Sequence, residues 1–179
     1  PEADPKAEFR DRFGLERTWR HIETRGVHFL LLDSIRIADD RSGYTGGFST
    51  EQIDWLLQTL KNIPREAPLV LMTHIPFATL FMQMAGAPTD ALTPNLVVKD
   101  AGKLIDLLAR RDRSLVLQGH LHSNEDLRFA GRRFIMGGAV CGRWWQGANL
   151  GSEEGFGILT LSADAIEWEY IDLGIEAVL

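Results

Sequence analysis

Leu69-Val70-Leu71-Met72-Thr73-His74-Ile75-Pro76 and Leu115-Val116-Leu117-Gln118-Gly119-His120-Leu121-His122 decide the reading of this chain. In each stretch, a short apolar run stops at a loop that carries histidine. Such a run, too short for a helix, reads as a buried strand. The residues between the two runs leave room for a loop and a helix, which suits a crossover between parallel neighbours in one sheet. In open α/β sheets, ligands gather outside the carboxyl ends of the strands. Three of the five histidines therefore fall where metal ligands are expected.

His120 and His122 are two residues apart. In a straight strand such residues point to the same face, so two imidazoles can converge on one site or on two adjacent ions. Gly119 permits an unusual backbone and leaves room for a ligand. His-x-His after a strand is also compatible with a ring that only bonds a backbone carbonyl. His74 alone reads as structural. The two histidine sites together, on strands expected to be neighbours, carry the metal reading.

Working outward, residues 4 to 13 read as a short helix, with Asp4 as N-cap, Pro5 at the first helical position and Gly14 ending it. Residues 17 to 24 and 27 to 32 read as strands, and 36 to 48 as loop. Ser49 or Thr50 caps a helix through Asn62, with Ile53, Leu56, Leu57 and Leu60 at helical spacing. Residues 75 to 98 lack clean periodicity and read as an active-site loop, with room for a short helix. A helix from about Val98 to Arg110 follows, with Leu104, Ile105, Leu107 and Leu108 inward. Beyond the strand at Ser114 to Gln118, three or four more strands are expected, at about 125 to 130, 132 to 137, 156 to 162 and 165 to 171. Ala130-Gly131-Arg132 and Ser162-Ala163-Asp164 are their hairpin turns.

The 179 residues are one domain's worth, 45% hydrophobic and 25% charged. A net charge of -6 argues against nucleic-acid or anionic-membrane binding through bulk charge. A phosphorylated substrate stays compatible, because bound cations dominate the local field. The single cysteine, Cys141, rules out an internal disulfide and a cysteine-based zinc site. No apolar run reaches transmembrane length. The start, Pro-Glu-Ala-Asp-Pro-Lys, carries neither an initiator Met nor a signal-peptide core. Pro1 is therefore expected to lie inside a longer reading frame. The chain is expected to be soluble, with its compartment open.

Gly-His-Leu-His (119–122) and Thr-His-Ile-Pro (73–76) resemble the last two signature motifs of the calcineurin-like metallophosphoesterases. The order of the surrounding elements is similar as well: Val-His-Phe-Leu-Leu-Leu-Asp-Ser (27–34), then Gln-Ile-Asp-Trp-Leu-Leu (52–57), then the two histidine motifs. The resemblance spans nearly the whole chain. It implies an α/β fold: the C-terminal half of an αββα sandwich, a mixed β-sheet with flanking helices. Residues 1–179 then form a single but incomplete domain. The implied activity is hydrolysis of a phosphomonoester or phosphodiester. Two divalent ions (Mn, Fe or Zn), roughly 3.5–4 Å apart, activate a water for in-line attack. By motif position, His74 and His120 ligate one ion and His122 the other. The family's Asp-x-His, Gly-Asp-x-x-Asp and Gly-Asn-His motifs are absent. The catalytic residues are therefore expected upstream of Pro1, and this chain alone is expected to be weak or inactive. The implied partners are a phosphorylated small molecule and either the missing N-terminal half or a second copy. Pairing is expected along an exposed edge beside Leu69 to Met72 or Leu115 to Gln118.

The segment Gly137 to Gly147 is similar to bacterial members with a small C-terminal extension, which implies a wall of the substrate cleft. Within it, Trp144 and Trp145 are adjacent, so in a strand they point to opposite faces and one is exposed. An exposed Trp beside Arg143 suits a phosphorylated aromatic or sugar-like group. The alternative is that both pack on the sheet. His21 and His28 read as structural, and Asp33 as bonding its own turn. Trp19, Trp55 and Trp168 read as core, and the Phe and Met residues of 77 to 84 as loop packing. Two further functions stay open. One is a non-catalytic interaction module that kept the fold. The other is a mononuclear zinc hydrolase or hydratase using all three histidines.

Overall fold

The computed structural model describes residues 4–38, 43–86, 94–99, 101–108, 111–162 and 165–175. In chain order the elements are α1 (Ala7–Phe13), β1 (Arg20–Thr24), β2 (Val27–Leu31), β3 (Ile35–Ile37), β4 (Tyr44–Gly46), α2 (Thr50–Asn62), β5 (Leu69–Met72), α3 (Phe81–Met84), α4 (Ala101–Leu107), β6 (Ser114–Gln118), β7 (Glu125–Phe129), β8 (Arg132–Met136), β9 (Gly155–Leu161) and β10 (Ile166–Asp172). Six strands form one mixed sheet in the order β1-β2-β5-β6-β8-β7. The four inner strands are parallel, while β1 and β7 are antiparallel rims.

Alternation along the inner strands builds two cores, one on each face. Leu30, Leu69, Leu71, Val116 and Phe134 pack against Leu56 and Leu60 of α2 and Leu104 of α4. Val70, Leu115 and Ile135 face the other way, against Leu159, Leu161, Ile166 and Trp168 of the β9–β10 hairpin. The sheet is thus a middle layer between helices and a second, two-stranded sheet, as a mixed α/β fold requires. Among the described residues, no helix is long and apolar enough to cross a membrane.

The Ser49 hydroxyl caps α2 by accepting from the Gln52 N–H at 3.1 Å. Leu57, expected inward, is 36% exposed, because its side chain lies one residue round from the Leu56–Leu60 stripe. At α1, Asp4 caps the turn before the helix instead: its carboxylate takes the Lys6 N–H at 2.9 Å, and Lys6 stands at the N-cap. The segment 36 to 48 is not all loop, since β3 and β4 pair across it. Residues 39–42 lie outside the described residues. So do Pro1 to Ala3, residues 87–93, Arg110, and Ala163 and Asp164 of the expected turn. That turn is still closed by the Ser162 N–H on the Ala165 carbonyl at 2.9 Å. The other turn forms at Ala130 and Gly131, with φ of 49° and 76°. Leu69 to Met72 and Leu115 to Gln118 are not edges. β2 and β8 pair with their outer sides, so the rims are β1 and β7.

Candidate functional site

β5 and β6 run parallel in register, from Leu69 opposite Ser114 to Met72 opposite Leu117. Both therefore deliver their histidine loops to the same edge of the sheet. The Gly119 N–H donates to the His74 carbonyl at 3.0 Å, which continues the pairing one step past the strands. The result is direct contact between residues 46 apart in sequence: His120 Nδ1 lies 3.1 Å from His74 Nε2. The two rings meet edge-on, with centroids 4.8 Å apart and planes at 65°.

The loops are held by buried amides. Gln118, at the end of β6, accepts from the Phe77 N–H at 3.0 Å and donates to the Ala78 carbonyl. Gln52 of α2 does the same for the end of β2, accepting from the Asp33 N–H and donating to its carbonyl at 2.8 and 2.9 Å. The Ser34 hydroxyl then accepts from the Ile75 N–H at 2.9 Å. A polar residue on the apolar stripe of a helix, as Gln52 is, was a signal available in the sequence. Asp33 bonds its own turn at the Ile35 N–H, 3.1 Å away. Its other oxygen takes the Lys6 ammonium and the Thr18 hydroxyl, so its carboxylate is already engaged.

Segment 94–98 supplies the next layer. It is laced to β4 and to the Thr-His-Ile-Pro loop by Gly46 N–H to Pro94 carbonyl (2.6 Å) and Val98 N–H to Pro76 carbonyl (2.8 Å). This places the Asn95 carbonyl 2.9 Å from His120 Nε2. A carbonyl only accepts, so Nε2 carries the proton and the Nδ1 lone pair faces His74. Tyr44 of β4 stands edge-on to His120, ring centroids 6.1 Å apart.

His122 takes another direction. His120 and His122 have φ of 81° and 54°, both left-handed, so the straight-strand argument for a shared face does not apply. Gly119, where an unusual backbone was expected, has none, and a Cβ there would meet His74 at an ordinary 3.7 Å. His122 Nδ1 donates to the Gly142 carbonyl at 2.8 Å. Its ring lies against Trp144, centroids 4.9 Å apart and planes at 34°. No partner meets His122 Nε2 among the described residues. Trp144 and Trp145 are not in a strand either. Both sit in a turn with φ of 52° and 65°, and both are exposed, 66% and 62%. Arg143 is exposed beside them.

The electrostatics favour neutral rings. Partial burial holds His74 below the ordinary histidine value of 6.5, and the His120 and His122 rings push the same way. Partial burial lowers His120 as well, opposed by the Asn95 carbonyl and reinforced by His122. Neutral imidazole is the form that binds metal.

Do these residues fit the implied ions? Two nitrogens each about 2.0–2.1 Å from one ion, at tetrahedral or right angles, stand about 2.9–3.4 Å apart. The 3.1 Å between His74 and His120 falls in that window. Ligating histidines donate their second N–H to a carbonyl or carboxylate, which fixes the tautomer. His120 and His122 both do so, to Asn95 and Gly142. Donor type and orientation fit. The number is short: among the described residues, no group of three or more His, Cys, Asp or Glu is placed to hold an ion. A recess of about 400 Å³ that touches His74 is lined by Phe9, Leu32, Ile35, Ile37 and the Lys6–Asp33 pair. A larger one, about 590 Å³, lies between α2 and α4 and contains no histidine.

No family model and no curated protein matches the chain. Among solved structures, the chain is similar to the "Putative 5'-Nucleotidase from Staphylococcus aureus in complex with alpha-ketoglutarate", at 16% identity and a TM-score of 0.43. The match covers 88% of this chain and 29% of that protein, so the chain spans under a third of that protein's length.

Proposed function

We propose that this chain carries the histidine side of a metal-dependent phosphoesterase site, which hydrolyses a phosphomonoester or phosphodiester once the domain is complete. The observation that carries this reading is the His74–His120 contact at the carboxyl ends of two parallel strands, with the outer nitrogen of His120 on a backbone carbonyl. In this reading His74 and His120 hold one divalent ion, and His122 holds a second through Nε2. Imidazole suits manganese, iron and zinc alike. When bound, the ions supply Lewis acidity and a metal-activated water. The chain's own residues favour neutral rings at His74 and His120, and the Asn95 and Gly142 carbonyls fix the tautomers of His120 and His122. The remaining ligands, carboxylates that neutralise the ions, come from a segment outside this sequence or from a second copy. The exposed guanidinium of Arg143 is suited to phosphate oxygens, and the exposed Trp144 and Trp145 follow it in the same turn.

The shortage of donors favours a second reading, an interaction module that retained the fold. The mononuclear zinc reading needs all three rings on one ion, and the turn of His122 toward Gly142 works against it. Expression of the longer reading frame, with a phosphatase assay at added zinc or manganese, separates the first two. Metal-dependent turnover of an aryl phosphate, lost in His120→Ala, supports the enzyme. A longer protein that binds no metal and turns over nothing assigns the module.

A further inference from the structure

We propose that Trp144 is a stacking platform that selects phosphoesters with a planar aromatic ester group. The proposal rests on the phosphoester reading of the histidine site and deepens it by naming a substrate class.

The argument starts from the backbone. Bulky residues avoid φ near +60°, and where they adopt it the surroundings must enforce it. Trp144 and Trp145 do so in succession, at 52° and 65°. Burial does not account for this, because the side chains are 66% and 62% exposed. The enforcement is visible in the strap from β8 to β9. The Trp145 N–H donates to the Cys141 carbonyl at 2.6 Å and the Arg143 N–H to the Gly147 carbonyl at 2.8 Å. Gly142, at φ 47°, has no room for a side chain: a Cβ would lie 2.6 Å from the Gly147 carbonyl oxygen and 2.9 Å from the Glu154 carboxyl carbon. The strap is tied to the histidine loop as well, since the Asn149 amide donates to the Leu121 carbonyl at 2.8 Å. Trp144 is thus held in a set orientation.

That orientation places the indole against the His122 ring, 4.9 Å between centroids. The exposure that remains leaves indole surface open beside the candidate metal ligand. A large aromatic face held open to water at a reacting centre favours a planar π-system; nucleobases and aryl rings stack on indole, and glycerol-like groups do not. Arg143, next in sequence, adds a cation for the phosphate end. Tyr44, 40% exposed and edge-on to His120, adds a second aromatic near the histidines. Ligand and platform are coupled through one turn: the Gly142 carbonyl that orients His122 belongs to the strap that holds Trp144.

The test uses the chain itself and measures binding, with phenyl phosphate, glycerol phosphate and phenol as probes, by calorimetry at fixed zinc. The expected result is phenyl phosphate about tenfold tighter than glycerol phosphate, the size of one base-like stacking contact. Trp144→Ala should remove that preference and Trp144→Tyr should keep most of it. Phe129→Ala, which removes an aromatic 74% exposed at the end of β7 away from the strap, should leave it unchanged. Matching circular dichroism melts check that the variants fold. Equal affinity for the two phosphates, including none measurable, overturns the proposal, as does a preference that survives Trp144→Ala. Phenol binding as tightly as phenyl phosphate, with loss in Trp144→Ala, keeps the platform and removes the phosphoester reading.

Discussion

The chain contains two pairs of touching histidines, and only one has the features of a site. His74 and His120 meet at 3.1 Å between ring nitrogens. His21 and His28 meet at 3.0 Å, His21 Nε2 on His28 Nδ1. By contact distance the pairs are equal. They differ in what surrounds them. The His74–His120 pair stands beyond the carboxyl ends of parallel strands, with His120 on a left-handed backbone and its outer nitrogen fixed by the Asn95 carbonyl. The His21–His28 pair lies on the β1–β2 hairpin at the rim of the sheet, in extended backbone. Its rings lie nearly parallel, at 22°, and Glu23, opposite His28 in the ladder, places a carboxylate oxygen 3.9 Å from His28 Nδ1. Neither outer nitrogen is fixed by a carbonyl among the described residues. The second pair is a ring-to-ring hydrogen bond within one hairpin. Topology and the layer behind the ring, more than ring contact, mark a candidate ligand.

The strongest way to break this comparison is metal titration. His120→Ala should weaken zinc binding by at least about 100-fold, more than the 10–100-fold typical of losing a supporting partner. His21→Ala should change it by less than about twofold, within the spread expected of a site it does not touch. Calorimetry in which His21→Ala gives the larger loss would reverse the assignment of the pairs.

Next in size is the scaffold behind the first pair. Gln118→Ala leaves the Phe77 N–H and the Ala78 carbonyl without their partner. It should lower stability by about 1–3 kcal/mol. A denaturant midpoint equal to that of the parent would mean the loop after β5 does not depend on this clamp. Gly142→Ala should cost about 1 kcal/mol or somewhat more, from strain at φ 47° and the clash with Gly147. It should also disturb His122 and leave His74 and His120 in place. Imidazole nitrogen shifts read both, and a change at His74 as large as that at His122 would show that the three rings form one unit.

The smallest effect is on the second pair and concerns pH. Burial and the charge of His28 hold His21 below the ordinary 6.5, with Glu23 opposing. The folded state therefore binds this proton less readily than the unfolded chain does. The contribution to stability is present above 6.5 and is lost as pH falls below it, toward the folded value. The melting temperature of the parent should fall more between pH 7 and pH 5 than that of His21→Gln. Parallel slopes would mean that the hairpin pair titrates as it does when unfolded.

Much of this was written in local pattern. The apolar runs of β5 and β6, the Ser49 cap of α2 and the late hairpins follow from periodicity and turn chemistry, and the structure has them. So does the placement of His74 and His120 at one edge, because parallel neighbours end on the same side. The divergence of His120 from His122 was not legible, since it depends on left-handed backbone set by distant loops. Nor was the His21–His28 contact, because it requires the hairpin register that sets His28 opposite Glu23 and two residues from the partner of His21.

The sequence by itself determined the apolar strands β2, β5 and β6 and where the histidine loops follow β5 and β6, but not the β3–β4 pair inside the segment read as loop. Runs and alternation act over a few residues, so they can be read one window at a time. Tertiary structure decided which nitrogens face each other, which carbonyl holds each ring and which strands become rims. Asn95 reaches His120 across 25 positions, and Gly142 reaches His122 across 20. Those contacts exist only after the sheet order and the straps are in place. The physical reason is that a hydrogen bond fixing a tautomer depends on tenths of an ångström, a tolerance set by the packing of the whole fold.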